Sequence, residues 1–439
     1  MNSSPPLAPA PPRPEPAADR ASTEELMDAY VLGNYGRFPI AFERGEGAAL
    51  WSEEGRRYLD FSSGVAVCSL GHSPAVMAEA LARQAAKLVH CSNLYWVREQ
   101  AELARFVVER IMERPGKVFF CNSGAEANDG LIKLARRRAW EKFGPEAEKN
   151  EIVTCRQSFH GRTLGGIAAT GQDKVKLGFD PLLPGFVHVP FNDPAALRDA
   201  VTDRTAAILV EAVQGEGGIH VATPEFLAEA ARLRDEFDLL LMFDEVQCGA
   251  GRTGDWCGWR TVLAGSGTVA EPDAASWAKG FAGGFPIGAF WVADDHAAAL
   301  GPGTHGSTFG GTPLACAAAL AVLGEIERGG VLANVKRQES RIREAAAGWN
   351  HPCVSGLRGL GLMLGFVLDP AAMQSAPGFS ESGKTPSLFV VDAARGAGLL
   401  TVPAGETVVR WLPPLNVTDA EVDEALAIFD QVLSTLSGR

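Results

Sequence analysis

Between Val118 and Val292 the chain keeps returning to one unit, a short run made almost wholly of apolar residues, with stretches of helical spacing between the runs. The runs fall at 118–121, 152–155, 207–210, 239–243, 274–277 and 288–292, and the clearest helical patterns at 126–142 and 224–237. A strand with one wet face alternates apolar and polar side chains, whereas a strand without alternation must be covered on both faces. Continuous apolar strands separated by helices therefore predict a mostly parallel sheet with helices on both sides, and so an α/β fold.

The flanks read differently. Residues 1–22, rich in Pro and Ala, are expected to be a flexible tail. Residues 23–72 hold short amphipathic pieces, among them GAALWSEEGRRYLDF, which predicts a two-strand hairpin. Ser73-Pro74 opens a helix with Val76, Ala80, Leu81, Ala85 and Leu88 on its apolar face. We assign 73–328 to a large domain and 329–439 to a smaller α/β lobe, to which 23–72 also contributes. In that lobe VVDAARGAGLL reads as a helix and then a strand, and Thr418-x-x-Glu421 is a capping box opening the last helix.

A formal net charge of -13 argues against a general nucleic-acid or anionic-membrane surface. No apolar run is long enough to span a bilayer. The tail lacks an apolar signal core, and Glu15 and Asp19 are unlike an acid-poor transit peptide. Eight scattered cysteines, with no C-x-x-C pair and no metal-ligand spacing, suit reduced thiols in a cytoplasmic protein.

Three segments carry candidate chemistry. Lys279 is the only charged residue between Asp273 and Asp294. Burial would lower its pKa and free the amine as a nucleophile; a lysine stem can also lie on apolar surface with its ammonium in water. VFFCNSGAEANDG reads as strand, tight turn and helix start, where Ser123, Gly124 and Ala125 would either hold a phosphate or simply cap the helix. It is neither a dinucleotide fingerprint nor a P-loop. In LLLMFDEVQCGAGRTG, Asp244 and Glu245 emerge from the carboxyl end of a buried strand, where α/β folds bind ligands. A carboxylate there can hold a proton on a ring nitrogen, or form a cap or an ion pair.

A phosphate cradle, a strand-end carboxylate and an embedded lysine are together what pyridoxal phosphate requires. The ordered set NSGAEAN, SFHGRTLGG, QGEGG, FDEVQCGAGRTG, AKGFAGGFPIGAF and HGSTFGGTPLACAA resembles the class III aminotransferases of pyridoxal-phosphate fold type I, and among them the acetylornithine aminotransferases. The resemblance runs from about Asn34 to the C-terminus. It implies that Lys279 carries the cofactor as a Schiff base and moves the proton, that Asp244 pairs with the pyridine nitrogen, and that Gln247 reaches the ring hydroxyl. Ser123, Gly124 and Ala125 would hold the phosphate, joined by Thr308 from the other subunit of a homodimer, with Ser307 near the substrate. Phe159 would stack on the ring, although ordinary core packing is the commoner fate of a Phe. His160 beside it has no implied proton-transfer role and is read as structural.

The same resemblance implies two carboxylate-binding arginines, Arg162 and Arg410, whose planar forks suit the task. Glu216 would mask Arg410 while the ω-amine is bound and swing away for glutamate. Without the resemblance, each arginine could equally be a structural ion pair. Val65 falls where ornithine aminotransferases carry a tyrosine that grips a free α-amino group, so an acylated amine is favoured. Cys68 stands where Asn is usual, Ala212 interrupts the commoner E-P-V-Q-G-E, and Asp129 replaces a Glu; none touches the cofactor set. The implied reaction exchanges the δ-amino group of N2-acetylornithine with 2-oxoglutarate, as in arginine biosynthesis. Ornithine, succinylornithine, 4-aminobutyrate or an acyl-lysine analogue are the alternative substrates. An aminomutase or decarboxylase on the same scaffold would differ in its need for 2-oxoglutarate, and a cofactor-binding protein without catalysis is disfavoured because Lys279, Asp244, Arg162, Glu216 and Arg410 are all present.

Overall fold

The computed structural model describes residues 21–438, so the expectation of a flexible tail lies, but for its last two residues, outside the described residues. Ser22 and Glu25 close a reciprocal capping box on the first helix, Thr23–Tyr30. Three antiparallel strands follow: β1 (Phe42–Glu46), β2 (Ala49–Ser52) and β3 (Arg57–Asp60), the last two forming the hairpin expected from sequence.

The central sheet is built from β4 (Gly116–Cys121), β5 (Glu151–Cys155), β6 (Phe186–Val189) and β7 (Thr205–Val210). A small ribbon, β8 (Val213–Gln214) with β9 (His220–Val221), interrupts the run. The sheet is then completed by β10 (Leu240–Asp244), β11 (Ala274–Trp277) and β12 (Gly288–Ala293), in the order β4-β12-β11-β10-β7-β5-β6. Every residue of β7, β10, β11 and β12 is buried. Alternate side chains of β10 explain why. Leu240 and Met242 pack with Leu131 and Leu134 of the helix Gly124–Phe143, while Leu241 and Phe243 pack with Phe226 and Leu227 of the helix Pro224–Phe237. One strand feeds two apolar layers, which is what a run without alternation encodes.

One strand runs against the rest. β12 is antiparallel to both of its neighbours, β11 and β4, whereas β11, β10, β7, β5 and β6 pair in parallel. Residues 278–287, which join β11 to β12, are too few for the crossover a parallel neighbour needs.

The last strands are β13 (Val354–Leu360), β14 (Met363–Leu368), β15 (Leu399–Leu400), β16 (Val402–Ala404) and β17 (Val408–Trp411). β13, β14, β17 and β16 form an antiparallel sheet, and β15 pairs in parallel with β3. Leu59 and Phe61, near the start of the chain, share an apolar cluster with Phe366, Leu399, Trp411 and Phe429 near its end. Thr418 and Glu421 cap the helix Asp419–Leu436 as their spacing predicts.

Between β3 and the first long helix the backbone is strained. Ser63, Gly64, Val65 and Ala66 have φ of 47°, 63°, 63° and 63°, a turn of left-handed helix that only glycine adopts without cost. All eight cysteines are free thiols. Among the described residues, no helix is long and apolar enough to cross a membrane.

Candidate active site

The carboxyl ends of five of the co-directional strands open on one cavity of about 400 Å³. β4 leads to Ser123, which caps the 20-residue helix Gly124–Phe143 by accepting a hydrogen bond from Glu126 N at 3.2 Å. A Cβ on Gly124 would lie 2.7 Å from Val246, so this helix start is pressed against the loop that follows β10. The first backbone N–H groups of so long a helix, with its dipole behind them, favour an anion. β5 leads to Phe159, His160 and Arg162, the guanidinium carbon of Arg162 lying 5.4 Å from the Phe159 ring centre. β7 delivers Glu211, whose carboxylate accepts from Phe159 N at 3.1 Å. Burial, and then the charge of Asp244, push the Glu211 carboxyl well above its usual range.

β10 supplies a pair of acids that part company. Asp244 turns to the cavity: its Oδ2 accepts from Asn128 Nδ2 at 2.7 Å and faces His160 Nδ1 at 2.8 Å, and its Oδ1 accepts from Val246 N at 3.0 Å. A carboxylate can only accept, so the His160 proton facing it must sit on Nδ1. Glu245 turns away and caps a different helix, accepting from Gly258 N at 2.7 Å and Trp259 N at 3.2 Å, and burial raises it to about 8. β11 leads to Lys279, held at φ 45°. Its side chain opens on the cavity yet its ammonium lies deep in the protein. Burial lowers its pKa, and Arg410 lowers it further, while Glu216, Asp244 and Glu211 pull the other way. The net shift is downward, toward the neutral, nucleophilic form of the amine.

Beyond Gln247 lies an ion pair. Arg410 on β17 is 2% exposed, and its NH1 donates to Glu216 Oε1 and to Gln247 Oε1, both at 2.7 Å. Burial alone would raise the Glu216 carboxyl; the charges of Arg410 and Lys279 instead hold it down at about 2.

Most of the residues expected at the site are thus brought together: Ser123, Gly124, Ala125, Phe159, Arg162, Asp244, Gln247 and Lys279 line the cavity, with Glu216 and Arg410 behind Gln247. Ser307 and Thr308 are not brought there. Ser307 Oγ accepts from Asn122 Nδ2 at 3.2 Å and from Gly310 N at 3.0 Å, and Thr308 is exposed; neither lines this cavity. In the strained turn, Val65 packs against the apolar core, and it is Val67 that reaches the cavity wall.

Sequence reasoning missed three residues. Asn128 bonds Asp244 while its own Oδ1 accepts from Ser276 Oγ at 2.7 Å. A polar residue between Ala127 and Leu131 on the buried face of a helix was the available signal. His160, read as structural, contacts Asp244 directly, and Glu211 directly follows a buried strand, much as Asp244 ends one.

The aminotransferase class-III family matches residues 30–433. An acetylornithine aminotransferase of Caldanaerobacter subterraneus subsp. tengcongensis is 47% identical over 409 residues, covering 93% of this chain and 98% of that one. The solved N-acetylornithine aminotransferase of Stenotrophomonas maltophilia is 35% identical, with a TM-score of 0.77 over 92% of this chain and 98% of the other. The solved ornithine aminotransferase of Toxoplasma gondii, described with partial occupancy of PLP at its active site, has a TM-score of 0.85 at 29% identity over 95% of this chain and 96% of its own. Likeness over nearly the whole length, in sequence and in fold, joins the geometry at the strand ends in one conclusion: the chain belongs to the class III aminotransferases.

Proposed function

We propose that this aminotransferase uses pyridoxal phosphate to exchange the δ-amino group of N2-acetyl-L-ornithine with 2-oxoglutarate and glutamate, a step of arginine biosynthesis. The substrate rests on one observation. The chain is 47% identical along its length to an acetylornithine enzyme, but 29% identical to the ornithine enzyme whose fold it follows with the higher TM-score. Val67 adds apolar surface to the cavity wall, which an acyl group can use.

The cavity fits the cofactor. The helix start at Ser123, Gly124 and Ala125 would take the phosphate, Phe159 would lie against the ring, and Gln247 would reach its hydroxyl. When bound, the cofactor supplies an electron sink for the carbanion formed at the amine-bearing carbon. Lys279, whose pKa burial lowers, takes and returns the proton at that carbon. Asp244 Oδ1, with Val246 N as its protein donor, keeps capacity to hold a proton on a pyridine nitrogen. With Glu216 paired to Arg410, Arg162 is the guanidinium left for the single carboxylate of N2-acetylornithine. With Glu216 moved aside, Arg162 and Arg410 together take the two carboxylates of glutamate.

The working unit in this reading is a homodimer in which Thr308 and Ser307 complete the partner's site. Leu94, Tyr95 and Trp96 are 87%, 68% and 104% exposed, and Asn93 Nδ2 bonds Ser307 O at 3.0 Å, so an apolar surface adjoins the segment that would cross over. Residues 23–72 and 329–439 act as one small lobe against 73–328, which the β3–β15 pairing supports. Eight unpaired cysteines suit the cytoplasm.

An absorbance scan of the purified protein with pyridoxal phosphate, mixed in turn with N2-acetylornithine, ornithine, 4-aminobutyrate and glutamate, tests the reading. Rapid bleaching with N2-acetylornithine and glutamate, and little with ornithine, is expected. Preference for ornithine or 4-aminobutyrate would overturn the substrate, and a protein that binds no chromophore would overturn the reaction.

A further inference from the structure

The loop that carries Glu216 is pinned by its glycines. A Cβ on Gly215 would lie 2.4 Å from Gln247 Oε1, one on Gly217 would lie 2.5 Å from the Gln157 carbonyl oxygen, and one on Gly218 would lie 2.9 Å from an Arg358 nitrogen. Backbone packed this closely leaves rotation of the Glu216 side chain as the means of uncovering Arg410. A carboxylate that leaves a buried guanidinium needs another cation, because an unpaired charge at such a place is strongly disfavoured.

Such a cation is at hand. Glu216 also lines a second cavity, of about 770 Å³, whose positive charge comes from Arg156, Lys174, Lys176 and Arg358, against Asp173 and Glu406. Arg358, on β13, is the one tied to the Glu216 loop: its Nε donates to Gly218 O at 2.7 Å, and its NH2 donates to His220 Nε2 at 3.2 Å. His220 is disposed to accept, since burial and the charge of Arg358 lower its pKa. Burial likewise disfavours the Arg358 charge, and among the described residues no carboxylate pairs with it. Arg410 has an acid, then, while a second half-buried guanidinium, bonded two residues farther along the same loop, has none.

On the transamination reading above, we infer that Arg358 is the second station of the gate: when a dicarboxylate takes Arg410, the Glu216 carboxylate turns into the polar cavity and pairs with Arg358. Glu216 and Arg410 are then each paired in both states, and Arg358 gains its acid in the open one. Closed, Glu216 neutralises Arg410; open, the substrate neutralises Arg410 and Glu216 neutralises Arg358. Arg358 is a positioning residue, specific to the dicarboxylate half of the cycle.

Two variants of the holoenzyme test this. Arg358→Gln keeps an amide donor for Gly218 O but removes the charge, and Arg358→Lys keeps the charge. Each half-reaction is followed by bleaching, and the affinity for glutarate, a dicarboxylate with no amino group, by calorimetry. Arg358→Gln is expected to raise the KM for glutamate and the Kd for glutarate roughly tenfold, with N2-acetylornithine affected less than about twofold and Lys restoring most of the loss. Equal loss in both half-reactions would overturn the inference, leaving Arg358 a brace on Gly218; so would unchanged glutarate affinity. An unsubstituted enzyme that bleaches with neither amine would sink the transamination reading, and the inference with it.

Discussion

Two aspartates in this molecule occupy the same local setting. Asp60 ends β3 and Asp244 ends β10; they are 1% and 3% exposed, and each faces a histidine nitrogen at 2.8 Å, His72 Nε2 and His160 Nδ1. What differs is where their other acceptor sites go. Asp60 Oδ1 takes Ser62 N and Ser63 N, both at 2.9 Å, together with the Ser62 hydroxyl, and so holds the entrance of the left-handed turn. Asp244 is braced by Asn128 and His160, with one backbone N–H on its remaining oxygen, beside an open cavity. The same strand-end device thus serves backbone in one place and chemistry in the other. What distinguishes them is the company each keeps, not the residue or its burial.

That comparison can be broken in three ways. Asp244→Asn, which keeps the shape and removes the charge, is expected to slow both half-reactions about a thousandfold, or about 4 kcal/mol of barrier, while the melting temperature moves little. Stopped-flow bleaching and a thermal scan read the two effects separately, and a large loss of stability with intact rates would erase the distinction. Asp60→Asn should do the reverse. Denaturant unfolding is expected to give a loss of about 3 kcal/mol, with the rate per folded molecule within a few-fold of the original.

The smallest effect concerns pH. Burial alone would lower the His72 imidazole, but Asp60, with help from Cys68, holds it up at about 9. An unfolded histidine titrates near 6.5, so the stabilisation is fully present below that pH and is lost as pH rises through 9. The loss is expected to be at most about 3 kcal/mol, and smaller where solvent screens the pair. Unfolding midpoints measured from pH 6 to pH 10 should fall for the unsubstituted protein and stay flatter for His72→Gln; parallel curves would remove His72 from the account.

How far the sequence foretells the structure also follows from local company. The helix Pro224–Phe237 and the strand β11 were legible to the residue, because a strand buried on both faces and a helix with one apolar side write their surroundings into their own composition. The direction of β12 was not legible, since its neighbours and not its residues set it. β13 and β14 escaped notice because VSGLRGL carries two glycines and its partner is chosen by pairing across the small sheet. At the site, Lys279 stood out by its isolation, and Asp244 by its apolar approach. Asn128 and His160 did not stand out, for their meaning lies in contacts with a strand more than eighty residues away.

The reversal of β12 bears on how such an enzyme can diversify. Lys279 sits on a connection whose two ends are both woven into the sheet, so residues 278–287 have no slack to absorb an insertion or deletion. Val67 lies past β3, outside the central sheet, and Arg162 lies on the longer connection 156–185 between β5 and β6. New substrate ranges should therefore arise by remodelling those two segments, with the stretch that bears the lysine kept at constant length.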